Sequence, residues 1–270
     1  MESVKTKKRI EYMCYRMVKF TVILPIHNEE AYLPYSLPSI YELFPDEVIL
    51  LFDKCTDNSK EIVYKITEHY KMIDKTKFVD VPESPDWRFR SSFLRIHGTK
   101  LAKNDLILLS NADIILDPRT TQYLNLIGKN NVALITFMYK EFPINWRNLL
   151  QRLLVSTKIK ALGSKRWLTG IGLFNKKTAL ESENIESLKK VESAEDTHLH
   201  QAITKKHQSL CIPLNSIHLR PRGTNRDLLK GRLYWNVGHR SFFHTCLTGI
   251  MFFRLKIIKG YIQARWGNKK

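Results

Sequence analysis

Apolar runs of strand length alternate with segments whose apolar residues recur at helical spacing. FTVILP, from Phe20 to Pro25, reads as a buried strand closed by proline. A helical pattern follows from about Glu29, with Leu33, Leu37 and Ile40 on one face. Pro34 and Pro38 interrupt it, so this helix is expected to be kinked or to start late. EVILLF predicts a second strand ending at Asp53. Asp57 to Ser59 supply capping chemistry for a helix carrying Ile62, Val63, Ile66 and Tyr70. KFVDV predicts a third strand, a helix through Phe93 to Ala102 follows, and DLILLS predicts a fourth strand. Asp117 and Pro118 form a helix start, cap then proline at the first helical position, before a fifth strand in NVALITFMY.

Strands alternating with helices specify an α/β fold: a mostly parallel, Rossmann-like sheet with helices on both faces. Ligands of such sheets bind at the carboxyl ends of the strands. Pro25 to Glu29, Asp53 and Asn111 to Asp113 all fall at those ends. A polar triplet interrupting LILLSNADII is therefore expected at the mouth of a site.

Two later segments differ in character. NWRNLLQRLLVSTKIKAL, Asn145 to Leu162, places Trp146, Leu149, Leu150, Leu153 and Leu154 at helical spacing among Arg147, Arg152, Lys158 and Lys160. It reads either as a helix packed on the core with a solvated basic face, or as a surface helix touching lipid or acceptor. From Gly223 the chain is basic and apolar together, the composition of an interfacial amphipathic segment on an anionic bilayer or of one packed on protein. The expected organisation is a basic extension over 1–19, an α/β domain over 20–222 and a basic, apolar C-terminal segment over 223–270.

Composition narrows the function classes. Of 270 residues, 43% are hydrophobic, enough for a core, and the net charge of +18 favours anionic partners. A nucleic-acid-binding protein is the competing class, but no basic helix-turn-helix, zinc finger or aromatic RNA-binding signature occurs, and no nucleic acid is expected. Cys14, Cys55, Cys211 and Cys246 are widely spaced, which excludes a C-x-x-C zinc site and suggests no disulfide framework. The first 19 residues lack the apolar stretch of a signal peptide, and the apolar run Phe242 to Phe253 is shorter than the roughly 18 residues a membrane span needs. The expected location is cytoplasmic, either free or attached peripherally at the inner face of the cell membrane.

Three places carry candidate chemistry. Asp113, at the open end of the sheet, is either a turn residue or a ligand for a hard divalent cation, which takes one or two carboxylates plus substrate phosphates. Asp196 follows Ser193 in the S-x-x-D spacing of a capping box. It either caps its helix or points into a cleft and accepts a proton. His218 precedes Arg220, Arg222 and Arg226, and arginine forks suit phosphate oxygens. His218 is thus either structural or a metal ligand, whereas His198 and His200 point to opposite sides of a helix and make a poor metal pair.

The segments PIHNEE, DEVILLFDKCTDNS, RIHGTKLAKNDLILLSNADI, TGIGLFNKKTAL and ESAEDTHLHQAI, in that order, resemble the family 2 glycosyltransferases of GT-A fold over roughly Phe20 to Arg222. The resemblance implies transfer of one sugar from a nucleotide diphosphate sugar, with Mn2+ or Mg2+, to an acceptor, lipid-linked acceptors included. It places Pro25, His27 and Glu29 in the first nucleotide-binding loop, Asp53 on the base and Arg95 on the donor. Asn111-Ala112-Asp113 matches the D-x-D motif, and Gly170 and Gly172 match the loop beneath the acceptor. Glu195-Asp196 matches the ED motif, whose aspartate is the catalytic base of inverting members. His218 falls where several members place a metal ligand, and Arg220 and Arg222 would neutralise the diphosphate. The chain departs from the pattern at Asn111, and at Phe52 and Lys54 within FDKCTD. The Q-x-x-R-W motif of processive synthases is absent, which argues for a non-processive enzyme. Nucleotidyl transfer and a degenerate sugar-binding protein are the alternatives that keep the fold.

Overall fold

The computed structural model describes residues 18–84, 86–87, 89–141, 170–189, 195–220, 242–243, 245–246 and 255–266. The predicted helix over 145–162, Ser193 and most of the C-terminal segment lie outside them. Two compact units are present: residues 1–140 with 164–219, and residues 141–163 with 220–270.

The first unit is built on an eight-stranded sheet in the order β3-β2-β1-β4-β7-β6-β8-β5. Its strands are β1 (Phe20–Ile26), β2 (Glu47–Phe52), β3 (Thr76–Asp80), β4 (Leu106–Leu109), β5 (Ile114–Ile115), β6 (Val132–Glu141), β7 (Gly172–Asn175) and β8 (Gln208–His218). Its helices are α1 (Leu33–Tyr41), α2 (Ser59–His69), α3 (Arg90–Leu101), α4 (Lys176–Ala179), α5 (Ser182–Lys189) and α6 (Glu195–Thr204). The second unit contributes α7 (Leu255–Trp266), in which Ile257 and Tyr261 are buried.

β1, β2, β3 and β4 are mutually parallel, with Val22 opposite Val48 and Leu108. β7 then runs antiparallel to both β4 and β6, and β5 antiparallel to β8. The parallel half follows from sequence. β1 and β2 read as unbroken apolar runs because both faces are covered. Val22, Leu24, Ile26, Val48, Leu50 and Phe52 join one core group with α1, and Ile23, Ile49, Leu51, Ile107 and Leu109 join the other with α3 and α6.

Several expectations meet a physical reason here. α1 starts late, at Leu33, with Pro34 in its first turn where a missing N–H costs nothing, and Pro38 is carried inside the helix. Asp117 does cap, its carboxylate accepting from Arg119 N–H at 2.9 Å, but the helix it opens, Pro118–Leu126, is a 3-10 helix. In α6 the buried face is Leu199, Ala202 and Ile203, as the spacing predicts.

Two buried carboxylates tie the sheet together. Glu47, 3% exposed, accepts from Lys103 N–H, Lys77 Nζ and Thr21 Oγ1. Burial pushes its carboxyl up, and those donors outweigh burial and hold it below its ordinary value. Asp117 accepts from Arg119 and from the backbone N–H of Asn215 at 2.7 Å, and its own N–H donates to Ser216 Oγ at 3.0 Å. Arg119 first, and the backbone N–H groups after it, hold the Asp117 carboxyl at about 2 against an ordinary 3.8.

α3 packs tightly on the sheet at Gly98, where an added Cβ would stand 2.6 Å from Ile23 Cγ2 and 2.9 Å from Leu51 Cδ1. Both neighbours are fully buried. Gly98→Ala is expected to destabilise by about 1–2 kcal/mol in urea unfolding, since overpacking outweighs the gain in helix propensity. Asp117 makes a pH-dependent contribution. A depressed folded-state pKa stabilises fully above the unfolded value and ceases to as pH falls towards the folded one. Asp117→Asn is therefore expected to cost about 1–2 kcal/mol at pH 7, discounted for the half-exposed Arg119. That difference is expected to vanish as unfolding is measured from about pH 4 down to about pH 2.

Candidate active site

The carboxyl ends of β1, β2 and β4 carry three loops, of which the first two hold one another in place. The loop after β1 and the loop after β2 are joined side chain to backbone. Thr56 N–H donates to Asn28 Oδ1 at 2.7 Å, Glu29 N–H to Ser59 Oγ at 2.8 Å, Glu30 N–H to Asp57 Oδ2 at 3.1 Å and Asn58 N–H to Glu30 Oε2 at 3.0 Å. Asn28 sits at φ 53°, a left-handed conformation that asparagine tolerates. His27 is exposed and its Nδ1 meets the Asp53 carbonyl at 2.5 Å, while Pro25 and Glu29 are half-buried.

Asp53 faces a partner that the sequence reading passed over. Arg90, the first residue of α3, brings Nε to 2.9 Å and Nη2 to 2.8 Å from Asp53 Oδ1. The same guanidinium donates to the carbonyls of Val81 and Pro82 and to Ser84 Oγ, and lies 5.1 Å from the Phe93 ring centroid. Beside it Lys54, at φ 51°, pairs with Glu83 at 2.6 Å. Lys54 and Arg90 thus fasten the end of β2 to the segment after β3. The signal for Arg90 was present, an arginine at the start of a helix beside a strand-end aspartate, but nothing in the chain's spacing paired the two. Arg95 lies further along α3, 6% exposed.

Asn111, Ala112 and Asp113 form the tight connection between β4 and β5. Ser110 N–H donates to the Ile23 carbonyl at 3.1 Å, Ser36 Oγ of α1 to the Ala112 carbonyl at 2.5 Å and Ile114 N–H to the Asn111 carbonyl at 3.3 Å. Gly170 leaves room for Asn111: a Cβ there would stand 2.4 Å from Asn111 Nδ2. Gly172 opens β7, opposite Leu109 and Thr136. Asp113 is 5% exposed.

His218, 105 positions away in sequence, is at Asp113. Ile114 pairs with His218 across β5 and β8, Leu219 N–H donates to the Asp113 carbonyl at 2.8 Å, and His218 Nε2 stands 3.4 Å from Asp113 Oδ2. That separation is long for a hydrogen bond. Two atoms each about 2.1 Å from one hard cation stand about 3.0 Å apart at a right angle and further apart at wider angles, so the pair suits shared ligation. No third His, Cys, Asp or Glu joins them among the described residues.

Glu195 and Asp196 open α6, but their side chains lie outside the described part. Arg220, half-buried, belongs to the second unit, and Arg222 lies outside the described residues. His200 bonds Ser209 Oγ at 3.0 Å, and burial lowers its pKa, so it is a core residue.

The family model described as glycosyl transferase family 2 matches residues 21–180. The chain belongs to glycosyltransferase family 2. Solved structures share the fold. One is glucosyl-3-phosphoglycerate synthase from Mycobacterium tuberculosis in complex with Mn2+, uridine diphosphate and phosphoglyceric acid, at TM-score 0.52 and 16% identity, covering 80% of this chain and 75% of that one. Another is S. aureus TarS 1-349 in complex with UDP-GlcNAc, at TM-score 0.55 and 18% identity, covering 80% of this chain and 65% of that one. No curated protein sequence matches.

Arg90→Ala is expected to lower stability by about 2 kcal/mol in urea unfolding, because it strands a largely buried carboxylate. Arg90→Lys is expected to recover less than half of that, since a lysine cannot reproduce the fork.

Proposed function

We propose that this glycosyltransferase moves a single sugar from a nucleotide diphosphate sugar to an acceptor nucleophile, with inversion at the anomeric carbon. The observation that carries the proposal is the Asp113–His218 pair: a carboxylate and an imidazole, both largely buried, 3.4 Å apart at the carboxyl end of β4. A carboxylate with one nitrogen donor fits a divalent cation that takes its remaining ligands from phosphate and water. Mn2+ or Mg2+ bound there would supply positive charge where the departing diphosphate becomes more negative.

The chain's own residues take the other roles. Pro25, His27 and Glu29 form the wall for the nucleotide, and Asp53, steadied by Arg90, meets the base. Asn111 offers an amide to the ribose, and Arg95 holds the donor. Arg220 and Arg222, within four residues of His218, would offset phosphate charge; the support for these two is sequence alone. In the reaction the acceptor oxygen bonds to the anomeric carbon as the bond from that carbon to the diphosphate oxygen breaks. The acceptor proton goes to the Asp196 carboxylate, and Glu195 stands beside it. General-base assistance of this kind contributes about 100- to 10,000-fold. An acceptor phosphate, already ionised, needs little of it.

Support for an acceptor at an anionic membrane surface comes from α7. Leu255 and Ile262 are exposed on it together with Lys256, Lys259 and Arg265. Among the described residues no helix is long and apolar enough to cross a membrane, so attachment would be peripheral.

Purified protein assayed with UDP-sugars tests the roles directly. Asp113→Ala is expected to abolish metal-dependent turnover, and activity that survives in chelator removes the metal role. Asp196→Asn is expected to bind donor normally while losing about 100-fold or more in transfer to a hydroxyl acceptor. Near-normal transfer by that variant would leave Asp196 as a helix cap.

A further inference from the structure

The Asp113–His218 pair has a third neighbour. Tyr139 of β6 stacks on the His218 imidazole, with ring centroids 5.1 Å apart and planes 19° from parallel. β6 and β8 are neighbours in the sheet, and Tyr139 also packs against the larger core group. We propose that Tyr139 is a positioning residue for the metal site: its ring holds the His218 imidazole in the plane that aims Nε2 at the space beside Asp113 Oδ2. The proposal rests on the metal reading given above.

The physical argument concerns ring rotation. A metal-binding nitrogen donates along a lone pair lying in the ring plane, so the ring must be held against turning. The terminal torsion of histidine is broad and restrains it weakly. Metal-binding histidines are ordinarily fixed by a hydrogen bond at the other ring nitrogen. His218 Nδ1 is buried and has no hydrogen-bond partner among the described residues. Among the described residues the usual restraint is therefore missing, and the face of Tyr139 is the contact that replaces it. Stacked aromatic contacts of this offset kind are favourable in their own right.

The experiment is a Mn2+ titration of the metal-free full chain, with and without UDP, following the paramagnetic resonance signal of free Mn2+. Tyr139→Leu is expected to weaken Mn2+ binding about tenfold, the low end of what outer partners of metal ligands contribute. Tyr139→Phe keeps the ring face and is expected to stay within about twofold of the natural chain. Tyr70→Leu removes a ring that packs against the same core group and lies 5.7 Å from Tyr41. It is expected to lower the unfolding midpoint yet leave Mn2+ affinity unchanged. Tyr139→Leu binding Mn2+ like the natural chain overturns the proposal, as does Tyr139→Phe losing as much as Tyr139→Leu.

His218→Ala and Asp113→Ala separate this failure from that of the underlying reading. If either binds Mn2+ normally, or the natural chain binds none, the metal reading falls and the positioning role with it. Proton resonance of the natural chain guards against a Tyr139 variant that does not fold. The stack predicts a His218 ring proton shifted upfield by the tyrosine ring current, and an unshifted signal rejects it.

Discussion

The Asp113–His218 pair hangs on a two-residue strand. β5 contains only Ile114 and Ile115, yet its pairing with β8 brings the residue after the polar triplet opposite His218. The contact is reinforced on both sides. Leu219 N–H reaches the Asp113 carbonyl ahead of the strand, and Asp117 gathers Asn215 and Ser216 behind it. Two residues of ladder alone would be marginal. Flanked by a buried carboxylate and a backbone bond, they hold an acidic and an imidazole group together across more than a hundred positions of chain.

The rest of the sheet serves that closure. Parallel strands buried on both faces make a rigid floor, and their carboxyl ends present loops rather than side-chain rows. Those loops are not left to water. The first two are laced together through Asn28, Glu30, Thr56, Asp57 and Ser59, and the second is tied to the segment after β3 through Arg90 and Lys54. Lys54 occupies a left-handed backbone position that glycine would adopt without strain, and its ion pair with Glu83 is a compensating contact.

How much of this was legible in the chain depends on the range of the interaction. β1, β2 and β4 were readable because a strand buried on both faces must be apolar throughout, and EVILLF has the bounds of β2 as read. β8 was not, because Gln208–His218 is half-exposed along much of its length and carries Pro213 in its middle. Without β8 the antiparallel half of the sheet could not be foreseen, and neither could the register that seats His218. Asp113 and His218 were each recognisable as candidate ligands. Their adjacency is a property of strand pairing, which no local pattern encodes. Arg90 shows the same limit: its residue type was visible, its partner was not.

Gly98 shapes how α3 lies on the sheet. It is the point where the helix touches Ile23 and Leu51 with no side chain between them, and Arg90 sits eight residues away at the other end. At 1.5 Å per residue that is about 12 Å of stiff rod. Leu94 and Ile96 bury the stretch between those two positions in the same core group, so the close approach at Gly98 is part of one continuous contact along the rod. A glycine deep in the core thereby lets the helix that begins with a rim arginine lie close on the sheet.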